Sequence, residues 1–169
     1  MADLSGFRDL DYMEQVMLLK EITEAKDPEA LDGLLDLQAD PVGDSAVDYM
    51  ATMALHAVLS ANEEKTVDGL ASDDPRIRDL CIKASGEHGF ASAAEPLADM
   101  AEEETDPDVL FDILTALYRI GDPSTLNVFR QRLRDPEPFI ASVSLDAVAH
   151  HQDEASLETL QDIVRDSEE

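Results

Sequence analysis

The chain has no tryptophan and one cysteine, Cys81. A single cysteine excludes an intramolecular disulfide framework, so packing alone must hold the core. Aromatic residues make up only 5% of the chain, which suits helices packed through Ala, Leu, Ile, Val and Met. Bases are scarce too: 12 Lys and Arg stand against 39 Asp and Glu, a net charge of −27. Such a chain repels phosphate backbones and anionic lipid, so no nucleic acid and no membrane are expected as partners. No stretch is apolar enough to span a bilayer. Met1–Leu10 holds acids and no apolar run, so no signal peptide is expected and the cytoplasm is the expected compartment. Glycine-rich phosphate loops, calcium loops and zinc-ligand spacings are all missing. No catalytic, cofactor or metal site is expected.

What is present is a repeat. In Asp106–Arg134, Asp106-Pro107 combines a carboxylate able to cap free N–H groups with a proline pre-set for a first helical turn. Val109, Ile113, Ala116, Leu117 and Ile120 follow at helical spacing and predict one buried stripe. Gly121 can end the helix in the left-handed conformation. Asp122-Pro123 then starts a second helix with Leu126, Phe129 and Leu133 on one face. Neither helix buries its stripe alone, so pairs must stack. Similar starts recur at Asp44, Asp74, Asp106 and Glu137, in steps of 30, 32 and 31 residues. Ile77, Cys81, Ala84 and Ser85 fit the stripe in one repeat, Ile140, Ser144, Ala147 and Val148 in another. Val47, Ala51, Ala54, Leu55 and Val58 fit in a third. Tyr12, Val16 and Leu19, then Leu31, Leu34 and Leu35, give the first pair. Leu157, Leu160 and Val164 close the last. The boundaries are 11–40, 44–73, 74–105, 106–136 and 137–167 within one domain, 1–169. The second is the least regular, because its Glu63–Ser72 helix is short and holds Gly69. Met1–Asp9 reads as a frayed start, with Phe7 and Leu10 able to cap the first layer. Pro96 marks either a helix start or a bend.

A helix pair of this length with Asp-Pro at its helix starts resembles the bacterial HEAT-like repeats, the kind named for phycobilisome lyases. The stretches DPRIRDLCIKASGEHG and DPDVLFDILTALYRIGDP carry the resemblance. It covers Asp74–Ser167 well, Ser45–Ser72 moderately, and residues 1–43 by pattern only. The family's Val-Arg step survives as Ile77-Arg78 but becomes Val109-Leu110 and Ile140-Ala141 elsewhere, so any arginine ladder is incomplete. The resemblance implies an all-α fold, a right-handed α-α superhelix (a HEAT-like α-solenoid) of helix pairs. It also implies a surface presented to other macromolecules, since only a minority of such arrays are enzymes.

Function is read from surface chemistry. The leading expectation is a non-enzymatic scaffold or assembly factor offering an acidic surface to a protein partner with a basic surface. The alternative is a bilin-lyase-type enzyme or enzyme subunit. The acids expected to meet the partner lie on second helices: Asp32, Asp36, Asp99 and Asp162. Residues 106–136 are nearly neutral, with five acids and four bases. There Arg130 and Arg134, joined by Arg119, form a local anion or carboxylate site, or else pair with acids of adjacent repeats. Met13, Met17, Met50, Met53 and Met100 read as core filling, with an adaptable binding stripe as the other reading. Cys81 falls on the apolar stripe and reads as a buried, inert thiol. His88 and His151 take the place of Ile120 and read as partly buried packing residues. Both ends look polar enough to be capped, Asp166–Glu169 shielding the last apolar edge, so a monomer is expected.

Overall fold

The computed structural model describes residues 4–167. Among the described residues the chain is all helical, with ten α-helices, short 3-10 turns and no strand. The helices are α1 (Tyr12–Ala25), α2 (Leu31–Ala39), α3 (Ser45–Ala61), α4 (Glu63–Asp68), α5 (Pro75–His88), α6 (Ala94–Glu103), α7 (Pro107–Ile120), α8 (Leu126–Arg132), α9 (Pro138–His150) and α10 (Leu157–Ser167). They pack in neighbouring pairs, the arrangement of an α-solenoid. The chain forms two compact units, one ending at Ser72 and the other beginning at Asp73.

The helix starts follow from the acids that precede them. Asp11 and Glu14 make a reciprocal capping box, each accepting from the other's backbone N–H at 2.9 and 3.0 Å. Asp44, Asp74, Asp106 and Asp122 accept from the N–H two residues on, at 2.8–3.0 Å. Each thereby satisfies an otherwise orphaned donor and sits where the helix dipole favours negative charge. Glu137 makes no such bond; Asp135 takes the Glu137 N–H instead, at 3.0 Å. Gly89 and Gly121 end α5 and α7 with φ of 65° and 71°. Most second helices begin with a 3-10 turn, for example Pro123–Thr125 before α8. The second pair reverses this. Its α4 has six residues and its 3-10 turn, Gly69–Ala71, follows the helix. The boundary between the two units comes directly afterwards.

In the first unit α1 and α2 both pack on α3, around Leu19, Ile22, Leu34, Ala54, Leu55 and Val58. In the second, α7 lies between α5 and α9, while α6 leans on α7 and α8 on α9. Their core holds Ile82, Leu97, Ile113, Leu114, Leu117, Phe129 and Ile140. Cys81 is buried as expected. Pro96 lies in the first turn of α6, where no intrahelical bond is lost, so the helix need not bend.

Several expectations need correction. In α7 the buried stripe is turned toward Leu110 and Leu114, which are 5% and 0% exposed, and Val109 is left at 36%. The reason is that α7 is flanked on two sides and needs a wider apolar face than a single stripe. Tyr12 stands half exposed in the first turn of α1. Met13, Met17 and Met53 are not core filling: they are exposed, and the core beneath is already closed by Leu, Ile, Ala and Val. Residues 4–10 are not a frayed start; Gly6, with φ 80°, bends the chain into a 3-10 turn that buries Phe7. Gln15 Nε2 donates to the Phe7 carbonyl at 3.1 Å. Leu157 and Val164 on α10, expected on the buried stripe, are exposed at 53% and 58%. Asp166 is drawn to Arg134 rather than over this edge, and Glu168–Glu169 lie outside the described residues.

Candidate functional site

Asp32 and Asp36 stand one turn apart on α2, both exposed. They open onto a depression of about 720 Å³ whose rim also holds Asp9 and Glu29, with Arg8 as its basic member. The Gly6–Phe7 bend builds one wall of it. Arg8 is tied to Asp40 by an ion pair at 3.1 Å and a bond to the Asp40 carbonyl. Its charge is thereby partly spent within the chain.

In the second unit Asp99 is exposed on α6 and shares a shallower depression of about 400 Å³ with Glu95 and Asp122. The Asp122 carboxyl is held below its ordinary value by the Ser124 backbone N–H, which it accepts as a cap. Asp162 is paired with Arg165 on the same helix. The structure therefore places Asp32 and Asp36 together in one groove of the first unit; in the second unit, Asp99 lines its own depression and Asp162 is held by Arg165.

The arginines of the fourth pair are engaged by this chain's own carboxylates. Arg130 makes a two-pronged contact with Asp153, Nε to Oδ2 at 2.8 Å and Nη2 to Oδ1 at 2.7 Å. The Asp153 side chain is 6% exposed. The Arg130 guanidinium, aided by the Ser156 hydroxyl, holds its carboxyl well below the usual range. Arg134 Nη1 reaches Asp166 Oδ2 at 2.8 Å, and Arg132 Nη2 donates to the Ala101 carbonyl of α6 at 3.1 Å. Arg132 thus ties α8 to α6, Arg130 ties it to the turn before α10, and Arg134, just past the end of α8, reaches α10. Lys83 does similar work between α5 and α7, meeting Asp79 at 2.7 Å and Asp112 at 3.4 Å. Few bases in the second unit's stack remain as isolated cations.

His88 is exposed rather than partly buried, its ring 5.7 Å from that of Phe90. His150 sits between the rings of Tyr118 and His151, at 5.9 and 5.2 Å. Among the described residues no three His, Cys, Asp or Glu side chains gather as for a metal ion. Burial pushes the Cys81 thiol up to about 11, out of the reactive range. No helix among the described residues is long and apolar enough to cross a membrane.

A feature that sequence reasoning misassigned is apolar. Tyr12, Met13 and Met17 on α1, with Tyr49 and Met53 on α3, are 47–67% exposed. The signal was present in the spacing: Met13/Met17 and Tyr49/Met53 are i, i+4 pairs lying off the core stripes Leu19/Ile22 and Val47/Ala51/Ala54.

Helix pairs packed on their neighbours, most of them started by a capping Asp, define an α-helical repeat protein. The HEAT repeats family matches residues 63–149. This chain belongs to that family. No curated protein matches the chain.

Proposed function

We propose that this protein is a non-enzymatic interaction module, a scaffold or assembly factor that receives a basic segment of another protein. HEAT repeats commonly mediate protein–protein interaction. The observation that carries the reading is the groove along α2, where Asp9, Glu29, Asp32 and Asp36 surround one open depression. A lysine or arginine entering it meets several carboxylates at once while its aliphatic stem lies against Leu37 and the Gly33 backbone. Phosphate ligands are repelled by the same groove. Charges on a rim act mainly through encounter rate and salt dependence, so salt is the natural probe.

The test is affinity capture from the native host's lysate with the unaltered protein and with Asp32→Lys/Asp36→Lys, each in low and in high salt. The reading predicts one stoichiometric protein that the unaltered chain retains at low salt. That protein is lost at high salt and is weakly held by the charge-reversed chain. A partner held equally by both chains at both salts contradicts it.

A further inference from the structure

The geometry points to a second docking surface, separate from the acidic groove: the outward face of α1 and α3 takes a basic amphipathic helix of a partner protein. Among the described residues eight large hydrophobic side chains are exposed, and five of them, Tyr12, Met13, Met17, Tyr49 and Met53, belong to these two helices. The two helices pack directly on one another. Each buries its opposite side, α1 through Leu19 and Ile22, α3 through Val47, Ala51, Ala54 and Val58. The exposed i, i+4 pairs therefore share the outward surface of a two-helix layer. Two packed helices leave a furrow of helix width, at axial spacings of about 8–10 Å.

Methionine suits this use. Its unbranched, polarisable side chain remoulds to a helix stripe, whereas Leu or Ile fixes one shape. Charge selects the occupant. Glu14, Glu21 and Glu24 are exposed on α1 and Asp11 caps its start; of the two bases, Lys20 already faces Glu24 at 3.8 Å and Lys26 lies past the helix end. An apolar furrow flanked by carboxylates fits a helix with an apolar stripe and lysine or arginine at its edges. The same flanks oppose anionic lipid, an acidic helix and a second copy of this chain, whose net charge is −27.

The probe is a fluorescent leucine–lysine peptide of about four helical turns, its leucines at helical period. A scrambled peptide of the same composition is the control. Binding is followed by anisotropy at low salt and at about 0.5 M salt, where charge attraction is largely screened. The periodic peptide is expected to bind about tenfold tighter than the scrambled one and to keep that advantage at high salt. Met17→Ser/Met53→Ser is expected to lose about tenfold of the affinity. Both residues are exposed, so the variant should melt as the unaltered protein does. Asp32→Lys/Asp36→Lys should bind the peptide within about twofold of the unaltered protein. That arm separates failure of this surface from failure of the acidic groove. Peroxide oxidation gives a second readout: the bound peptide should protect Met13, Met17 and Met53 and leave the rate at Met100 unchanged. Equal binding of the periodic and scrambled peptides, equal binding by the methionine variant, or no protection of these methionines overturns the proposal.

Discussion

At Gly86 the backbone of α5 packs closely against α7. A Cβ built on it lies 2.6 Å from the Ala116 Cα and 2.9 Å from the Ala116 Cβ. Carbon atoms rest about 3.5–4.0 Å apart, so Gly86→Ala must part the two helices by roughly 1 Å. Two effects then compete. Alanine is favoured over glycine in a helix interior by roughly 1 kcal/mol. Overpacking a tight core costs about 1–3 kcal/mol. Here the obstacle is backbone, and no rotamer change relieves it. A gap of about 0.5–1 Å also forfeits a quarter to a half of each dispersion contact it opens, and Ile82, Ile113 and Leu117 flank the crossing fully buried. The clash should win by about 1–2 kcal/mol, lowering the thermal midpoint by about 2–8 °C for a chain of this size. Circular dichroism melts decide it. Two variants calibrate the result. Adding Ala116→Gly removes the 2.9 Å contact but leaves the one at 2.6 Å, so it should restore only part of the loss. Gly33→Ala meets only the Leu4 side chain, which can shift, so its helix-propensity gain should largely survive and its midpoint should exceed that of Gly86→Ala. A Gly86→Ala midpoint at or above that of the unaltered protein refutes the close-packed crossing.

Other expectations follow from single groups. The hydroxyls of Ser85 and Ser144 are buried without a hydrogen-bond partner; Ser→Ala at either should stabilise the protein by about 1 kcal/mol, seen as a higher urea midpoint at unchanged slope. Asp153 has a folded pKa depressed from its ordinary 3.8. It therefore contributes stability above that value, and the contribution fades as pH falls below it. Asp153→Asn should melt several degrees lower than the unaltered protein at pH 7, with the gap closing under acid; a gap constant with pH contradicts the Arg130 pairing. Cys81, buried with its thiol raised to about 11, should react with a thiol reagent only as fast as the chain opens. Immediate labelling under native conditions would contradict its burial.

Much of the fold was legible because it is local and repeated. Asp-Pro starts, Gly121 at a helix end and the Leu126/Phe129/Leu133 stripe each report one turn of backbone, and each stands where periodicity puts it. The failures share a cause. Periodicity says which side chains align; it does not say how many sides of a helix will be covered. Flanking on two sides widened the buried face of α7 to Leu110 and Leu114. On α10, Leu157 and Val164 keep the helical spacing of a stripe and are nevertheless exposed. Met13, Met17 and Met53 looked like core by residue type, although their offset from the Leu19 and Ala54 faces already pointed outward. The arginines posed a different difficulty. Arg130 and Arg134 share a face, but their partners Asp153 and Asp166 lie 23 and 32 residues away, beyond what spacing within one helix reveals. Asp32 and Asp36 were legible as a pair on one face of α2. That the Gly6–Phe7 bend would wall a groove beside them was not, because it depends on where Phe7 finds its pocket.

The most direct test of the acidic groove is the salt dependence of the dissociation constant for the captured partner. It should be measured with the unaltered chain and with Asp32→Lys/Asp36→Lys, from about 0.1 M to about 1 M salt, over which the screening length falls from about 10 Å to about 3 Å. The account predicts that binding by the unaltered chain weakens steeply with salt. The variant should bind more weakly at low salt, follow a flatter line, and meet the unaltered chain at high salt. Two superimposed lines, or two flat ones, would contradict an acidic docking groove on α2.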